Sequence, residues 1–183
     1  MAPPLVAPAV TRLYGLGTAT PPHSAAQADV GAFMARVVAA AGAEAADGAG
    51  PPRRARLIRR LYAESGIARR HSVLADYTRT DPAAFDFFPP NWALDPFPTT
   101  AARMAVFRDA SVDLAAAAAG DALAEAGVAP GEVTHLVIST CTGFFAPGPD
   151  VALQRRLGLA PTVARTVIGF MGCNAGFNAL RTA

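Results

Sequence analysis

The sequence predicts an α/β fold with a mixed or mostly parallel sheet and flanking helices. Two observations carry this. Short apolar runs such as His135–Thr140 and Ala164–Phe170 alternate with longer stretches of helical periodicity. A chain of 183 residues, 52% apolar and only 16% charged, is also long enough to build a real core. The composition is apolar for this length. It implies either a very compact body or one that is buried against something larger.

The elements follow in order. "TRLYGLGTATPP" reads as a short strand, Arg12 to Gly17, ending in a turn. Ser24-Ala25-Ala26-Gln27 has the form of a capping box. After it, Val30, Phe33, Met34, Val37, Val38 and Ala41 recur at the i, i+3, i+4, i+7 spacing of an amphipathic helix. "AGAEAADGAGPP" is small, Gly-rich and Pro-terminated, the composition of a surface connection. A second helix is expected over Arg53 to Ser65, with Leu57, Ile58, Leu61 and Tyr62 as its apolar face and Gly66 as its stop. "IARRHSVL" reads as extended, and Asp81 to Pro98 as an irregular loop packed by its aromatics. An Ala-rich helix spans Thr100 to Ala126, closed by Gly127. "HLVIST" reads as a buried strand. "CTGFFAPGPD" is a tight loop, and Asp150 can cap a short helix that runs through Leu157. "ARTVIGF" is a strand, and a last helix opens at Asn174. That helix is short for independent stability, so Phe177, Ala179 and Leu180 want burial against something.

The bulk properties exclude several classes. A formal charge of +2 gives no case for nucleic acid. All 16 basic residues are arginine, which with the many alanines points to a coding bias. "MAPPLVAPAV" lacks the basic start and apolar core of a secretory signal, and no uninterrupted apolar run reaches membrane-spanning length. Cys141 and Cys173 make neither a disulfide framework nor zinc-ligand spacing, so no metal and a reducing cytoplasm are expected.

Cys173 is the first candidate for chemistry. It follows a strand and Gly172 and precedes a helix, whose unpaired N–H groups and dipole favour negative charge on its sulfur. Gly172, Ala175 and Gly176 leave room for a substrate. The competing reading is an ordinary buried cysteine. Cys141, at a strand end, reads as a small core or pocket-lining residue. His23, His71 and His135 show no local pairing with Cys173. The Gly15-Leu16-Gly17 pair lacks the third glycine and the lysine of a nucleotide loop. Arg53, Arg54, Arg56, Arg59, Arg60, Arg69 and Arg70 could face phosphates or simply form a solvated helix face.

These motifs together resemble the N-terminal half of the type III polyketide synthases, the chalcone-synthase-like family with the thiolase fold. "YGLGTATPP" is similar to the family's first strand and turn. "LIRRLYAESGIARRH" resembles its helix of coenzyme A contacts, and "TAARMAVFRDASVDLA" the opening of its long helix. The most specific match is "THLVISTCTGFFAPGPDVALQRRLGL", followed by the nucleophile segment "GFMGCNAGFNALRTA". The spacing from Cys141 to Cys173 fits the family without a gap, and the resemblance covers about Leu13 to Ala183. It implies that Cys173 takes a starter acyl group from coenzyme A as a thioester, which is then extended with malonyl-CoA by decarboxylative condensation. It implies that Arg60 binds coenzyme A phosphates. The family's other basic contacts fall on Leu57 and Glu64, leaving Arg56 and Arg59 as candidates to compensate. Cys141 and Thr142 match positions lining the starter pocket. Ala146 and Pro147 match the loop that crosses a homodimer interface, where the peptide is often cis.

The family's histidine and asparagine belong to its C-terminal half. The resemblance therefore implies an incomplete N-terminal domain, 1–183, cut within the nucleophile helix and unable to complete the cycle alone. No cofactor is implied beyond the coenzyme A thioester substrates, and no membrane or nucleic-acid partner. A separate C-terminal half is a possible partner. Two alternatives stand beside this reading. One is the initiating ketoacyl-ACP synthase of fatty-acid synthesis, whose nucleophile usually follows an acidic residue; Gly169-Phe170-Met171-Gly172 favours the polyketide branch. The other is a non-catalytic gene fragment or one half of a split protein. Thr142, Phe144 and Phe145 suggest a partly aromatic pocket.

Overall fold

A computed structural model describes residues 11–42 and 51–183. The "MAPPLVAPAV" stretch and most of the Gly-rich connection read from the sequence lie outside the described residues. The chain divides into two compact units. The first is Thr20–Ala110; the second joins the described residues 11–19 to Ser111–Ala183.

In the first unit, β1 (His23–Ala26) leads directly into α1 (Gln27–Ala40), followed by α2 (Pro51–Ala63) and β2 (Arg69–Ser72). β1 and β2 pair antiparallel, with His23 opposite Ser72 and Ala26 opposite Arg69. This pairing overturns the capping box. Ser24 is drawn into the strand, where its Oγ accepts from Arg69 Nε at 3.0 Å, and the helix is capped by Ala26 with no side-chain bond. Gln27 is buried instead. Its Nε2 donates to Ser65 Oγ and its Oε1 accepts from Arg70 Nε, both at 2.7 Å.

α1 and α2 pack closely because Gly31 faces Tyr62; a methyl on Gly31 would stand 2.8 Å from Tyr62 Cβ. The apolar face expected for α2 is only half right. Ala55, Ile58 and Tyr62 turn inward, but Leu57 and Leu61 are each 55% exposed. At 100° per residue Leu57 sits on the far side of the narrow stripe that α1 covers and Leu61 on its flank.

The Asp81–Pro98 loop is held by aromatics, as its composition predicts. Phe33 of α1 stands at their centre, 5.3 Å from Tyr77, 5.6 Å from Phe85 and 5.5 Å from Trp92 between ring centroids. Beneath the rings lies Asp76, fully buried in the short turn Ala75–Thr78. Its Oδ1 accepts from the amide of Asp86 at 2.9 Å, and its Oδ2 from those of Phe87 and Phe88 at 3.0 and 2.8 Å. One carboxylate thus satisfies three successive amides that no ladder or helix pairs. Burial, followed by the fields of Tyr62 and Asp76, lifts the Tyr77 hydroxyl above the ordinary tyrosine value.

α3 (Thr100–Ala126) has the bounds read from the sequence and ends at Gly127, whose φ of +66° suits glycine. In the second unit, residues 11–19 lie against α3 without joining a ladder, so the expected Arg12–Gly17 strand is absent. The reason is the neighbour: Gly15 and Gly17 press onto the backbone carbonyls of Ala122 and Ala118, and a helix offers no ladder. The Leu16 amide is taken by Glu125 Oε2 at 2.7 Å.

β3 (His135–Thr140), α4 (Pro149–Leu157) and β4 (Ala164–Gly169) form a parallel strand–helix–strand unit, with His135 opposite Ala164 and Thr140 opposite Gly169. Both strand orientations therefore occur, each in its own two-stranded sheet. β3 is half-buried rather than buried, since β4 is its sole partner among the described residues. Asp150 does not cap α4. Gly148 takes that place, and the Asp150 carboxylate pairs with Arg165 Nη1 at 3.2 Å, pinning α4 to β4. Leu153, Leu159 and Val163 are buried. α5 (Ala175–Thr182) follows, with Phe177 and Leu180 exposed. No helix among the described residues is long and apolar enough to cross a membrane.

Candidate functional site

The site is built at the end of the parallel pair. β4 stops at Gly169, and the chain then turns sharply through two left-handed residues, Phe170 at φ 61° and Gly172 at φ 64°. Glycine adopts this region freely, whereas a phenylalanine does so only under constraint, as at functional turns. Met171 lies between them, and its Sδ accepts from Asn178 Nδ2 at 3.4 Å. A single 3₁₀ turn, Gly172–Asn174, feeds into α5. Cys173 occupies that turn, exposed, two residues before the helix begins. This is the helix-mouth position read from the sequence.

Cys141 ends β3. Its carbonyl accepts from the Phe170 amide at 3.2 Å, extending the ladder one step past Thr140 and Gly169. That bond lays the Cys141 loop beside the segment carrying Cys173. The loop is braced at its base. The Gly143 amide donates to Thr140 Oγ1 at 3.3 Å, and that hydroxyl donates to the Gly143 carbonyl at 3.2 Å. A hollow of about 410 Å³ opens between loop and strand, lined by Cys141, Gly143, Phe144, Phe145, Val167 and Phe170 among others. The rings of Phe144 and Phe170 face each other at 5.6 Å. Thr142, Ala146 and Pro147 are exposed on the same loop but outside the wall of the hollow. The Ala146–Pro147 peptide is cis.

Phe170 escaped the sequence reading. Its signal was an aromatic between two glycine-bounded turns, directly before the nucleophile segment. The Asp150–Arg165 pair under the loop was also missed, because nothing local links residues that far apart.

Arg60 belongs to the first unit, on the outward side of α2. Its Nε pairs with Glu64 Oε1 at 2.8 Å, with both side chains exposed. Arg53, Arg56 and Arg59 are exposed as well. Of the histidines, His71 Nδ1 lies 3.2 Å from the Pro21 carbonyl oxygen and His135 Nδ1 lies 2.9 Å from Thr134 Oγ1. Among the described residues, no group of three or more His, Cys, Asp or Glu side chains is placed to hold a metal ion.

Comparison with known proteins fits this architecture. Residues 6–183 match the family described as chalcone and stilbene synthases, N-terminal domain. The alpha-pyrone synthesis polyketide synthase-like Pks18 of Mycobacterium tuberculosis is 36% identical over 183 residues, 99% of this chain and 41% of that protein. Bisdemethoxycurcumin synthase of Oryza sativa subsp. japonica is 34% identical over 171 residues, 93% of this chain and 39% of its own length. The crystal structure of PKS-I from the brown alga Ectocarpus siliculosus superposes on 93% of this chain and 42% of its own, with a TM-score of 0.73 and 28% identity. The chain thus spans about two fifths of the length of the relatives it matches. Over that span, from the glycines packed on α3 to the cysteine ahead of α5, it belongs to the chalcone and stilbene synthase N-terminal domain family of type III polyketide synthases.

Proposed function

We propose that this chain supplies the acyl-loading part of a type III polyketide synthase, an acyltransferase acting on coenzyme A thioesters. The observation that carries the proposal is Cys173, exposed between β4 and α5 on a constrained turn whose first residue, Phe170, lines a hollow with Phe144 and Phe145. The sulfur attacks the thioester carbonyl of a starter acyl-CoA. The bond from that carbonyl to the coenzyme A sulfur breaks, and coenzyme A leaves as its thiol with the proton that Cys173 gives up. The first amides of α5 have no acceptor within the helix, which makes them donors toward negative charge near the cysteine. In the extension step, malonyl-CoA loses carbon dioxide, and the resulting enolate carbon attacks the acyl-Cys173 carbonyl. A carbon–carbon bond forms and the cysteine sulfur departs.

Within this reading, Cys141 and Thr142 border the starter group and Arg60 holds coenzyme A phosphate. Ala146 and Pro147 reach toward the second subunit of a homodimer. The family's histidine and asparagine lie in the part of the relatives that this chain does not span. They serve proton transfer and oxyanion binding, and loss of one such donor costs about 10²–10³ in rate. Over the span of this chain, Cys173 is the residue assigned to loading. Two free cysteines suit a reducing cytoplasm.

The test is acylation. Incubation with a long-chain or aromatic acyl-CoA should add one acyl mass, located by peptide mapping on Cys173. Cys173→Ala should abolish it and Cys141→Ala should retain it. Acylation of Cys141 alone, or none, refutes loading at Cys173.

A further inference from the structure

The β1–β2 ribbon of the first unit turns one face to a cavity that the chemistry above leaves unused. Ala25 stands opposite Arg70 and His23 opposite Ser72, so these four residues share a face of the pair. Over that face, α1, α2 and the Ala75–Thr78 turn bound a cavity of about 280 Å³. Ala25, Val30, Met34 and Leu74 give it an apolar wall, and His23, Tyr62, Arg70 and Tyr77 bring polar groups to it. Among the described residues, no Asp or Glu lines it. Asp76, next to Tyr77 in the chain, has both oxygens turned to the amides of Asp86, Phe87 and Phe88. Tyr62 lies about 160° around α2 from Arg60, so the cavity is on the side of the helix away from the proposed coenzyme A contact.

Arg70 is held in place by a closed circuit. Its Nε donates to Gln27 Oε1 and Gln27 Nε2 donates to Ser65 Oγ, both at 2.7 Å. Ser65 Oγ then donates to the Tyr62 carbonyl at 2.8 Å. The Tyr62 ring completes the circuit, with the guanidinium carbon of Arg70 5.5 Å from its centroid. Gln27, in the middle, is only 4% exposed. A buried amide engaged at both ends fixes the direction of the guanidinium before any ligand arrives, which lowers the ordering cost of binding. An arginine fork has more N–H donors than the one that this circuit uses. Among the described residues, Arg70 pairs with no carboxylate. A staple from β2 to α1 needs only a neutral donor. A fixed cation with its terminal nitrogens open suits the two oxygens of a carboxylate.

The rest of the cavity sets the body of the ligand. Inorganic phosphate would place charge against Val30 and Met34, which give it no hydrogen bond. A flat apolar group packs on the Met34 thioether and on the tyrosine rings. The volume falls just below the range of about 300–1,000 Å³ that takes drug-sized ligands, so the occupant is smaller than these. We propose that this cavity binds a small aromatic monocarboxylate, with its carboxylate on Arg70 and the Tyr62 and Tyr77 hydroxyls and its ring on Val30 and Met34. The site is independent of the acyl loading assigned to Cys173.

The probe is benzoate, added to the full chain and followed by saturation-transfer NMR and calorimetry. Saturable binding with a dissociation constant of about 1 mM or tighter is expected. Arg70→Gln should weaken it about tenfold or more. Tyr62→Phe combined with Tyr77→Phe, which keeps both rings, should weaken it about threefold or more. Benzamide, of the same shape without the charge, should bind about tenfold more weakly than benzoate. Arg108→Gln on α3 should change nothing. Circular dichroism checks each fold, and the paired phenylalanines and benzamide decide the matter if Arg70→Gln disturbs the ribbon. No saturation transfer up to about 10 mM benzoate overturns the proposal. So does affinity unaltered by these variants, benzamide binding as tightly as benzoate, or displacement by an equal concentration of phosphate. Displacement of benzoate by coenzyme A moves the binding to the outward face of α2 and overturns it as well.

Discussion

Asp76→Ala should unlock the aromatic loop of the first unit. The wild-type carboxylate is fully buried and accepts from three successive amides, those of Asp86, Phe87 and Phe88. Each hydrogen bond to a charged acceptor contributes about 1.5–3 kcal/mol, and each orphaned buried donor costs about 1–3 kcal/mol. Removing the carboxylate also removes the cost of burying its charge, which offsets part of the loss. The net change is about 3–5 kcal/mol, a large share of the roughly 5–15 kcal/mol that holds a typical domain. Asp76→Asn keeps one acceptor oxygen but turns an NH₂ group toward an amide, so it should cost about 2 kcal/mol. The assay is urea unfolding followed by fluorescence. The sole tryptophan of the chain, Trp92, packs edge-on against Phe33 and Phe85, so its emission reports this cluster directly. A denaturation free energy for Asp76→Ala within about 1 kcal/mol of wild type, with unchanged emission, would refute the reasoning.

Three further outcomes are expected. Phe33→Ala removes the central ring of the cluster and should lower unfolding free energy by about 3–5 kcal/mol, read by the same fluorescence assay. Gly17→Ala drives a methyl into the Ala118 carbonyl and should speed tryptic cleavage after Arg12, whereas Gly120→Ala, with open space around it, should not. Tyr77 should ionise above the ordinary tyrosine value of 10.0 in an ultraviolet absorbance titration. The folded state then holds its proton longer than the unfolded state. Stability from this group is complete below about pH 10 and falls as pH rises through the folded value, so a titration at the ordinary value removes the argument.

Legibility in the sequence tracked how local the cause was. α3 and β3 were read with their observed bounds, because helical periodicity, a glycine stop and an apolar run are written in neighbouring residues. The placement of Cys173 ahead of a helix was legible for the same reason: strand, glycine and helix follow each other directly. The errors arose where a distant partner claimed a residue. Ser24 could cap a helix until β2 made it part of a strand, and Asp150 could cap α4 until Arg165 took its carboxylate. Leu57 and Leu61 matched a helical face, but periodicity does not say how wide a stripe the neighbour covers. Asp76 left no trace at all, since its three amide partners lie 10 to 12 residues away in a loop without periodicity. At the site, the bond from Phe170 to Cys141 was equally silent, although it sets the two cysteine segments side by side.

The glycines at 15 and 17 work as a two-notch gauge. Gly15 meets Ala122 and Gly17 meets Ala118, so the segment runs against the direction of α3. Two residues of extended chain advance about 6.7 Å, and four residues of helix about 6 Å. The two repeats are nearly commensurate, so both notches engage together. A slip of one residue would bring Tyr14 and Leu16 onto the helix backbone, and a slip of two would leave only one notch filled. The alignment of residues 11–19 is therefore encoded chiefly by two missing methyl groups, and a substitution there misaligns the segment without removing any favourable contact.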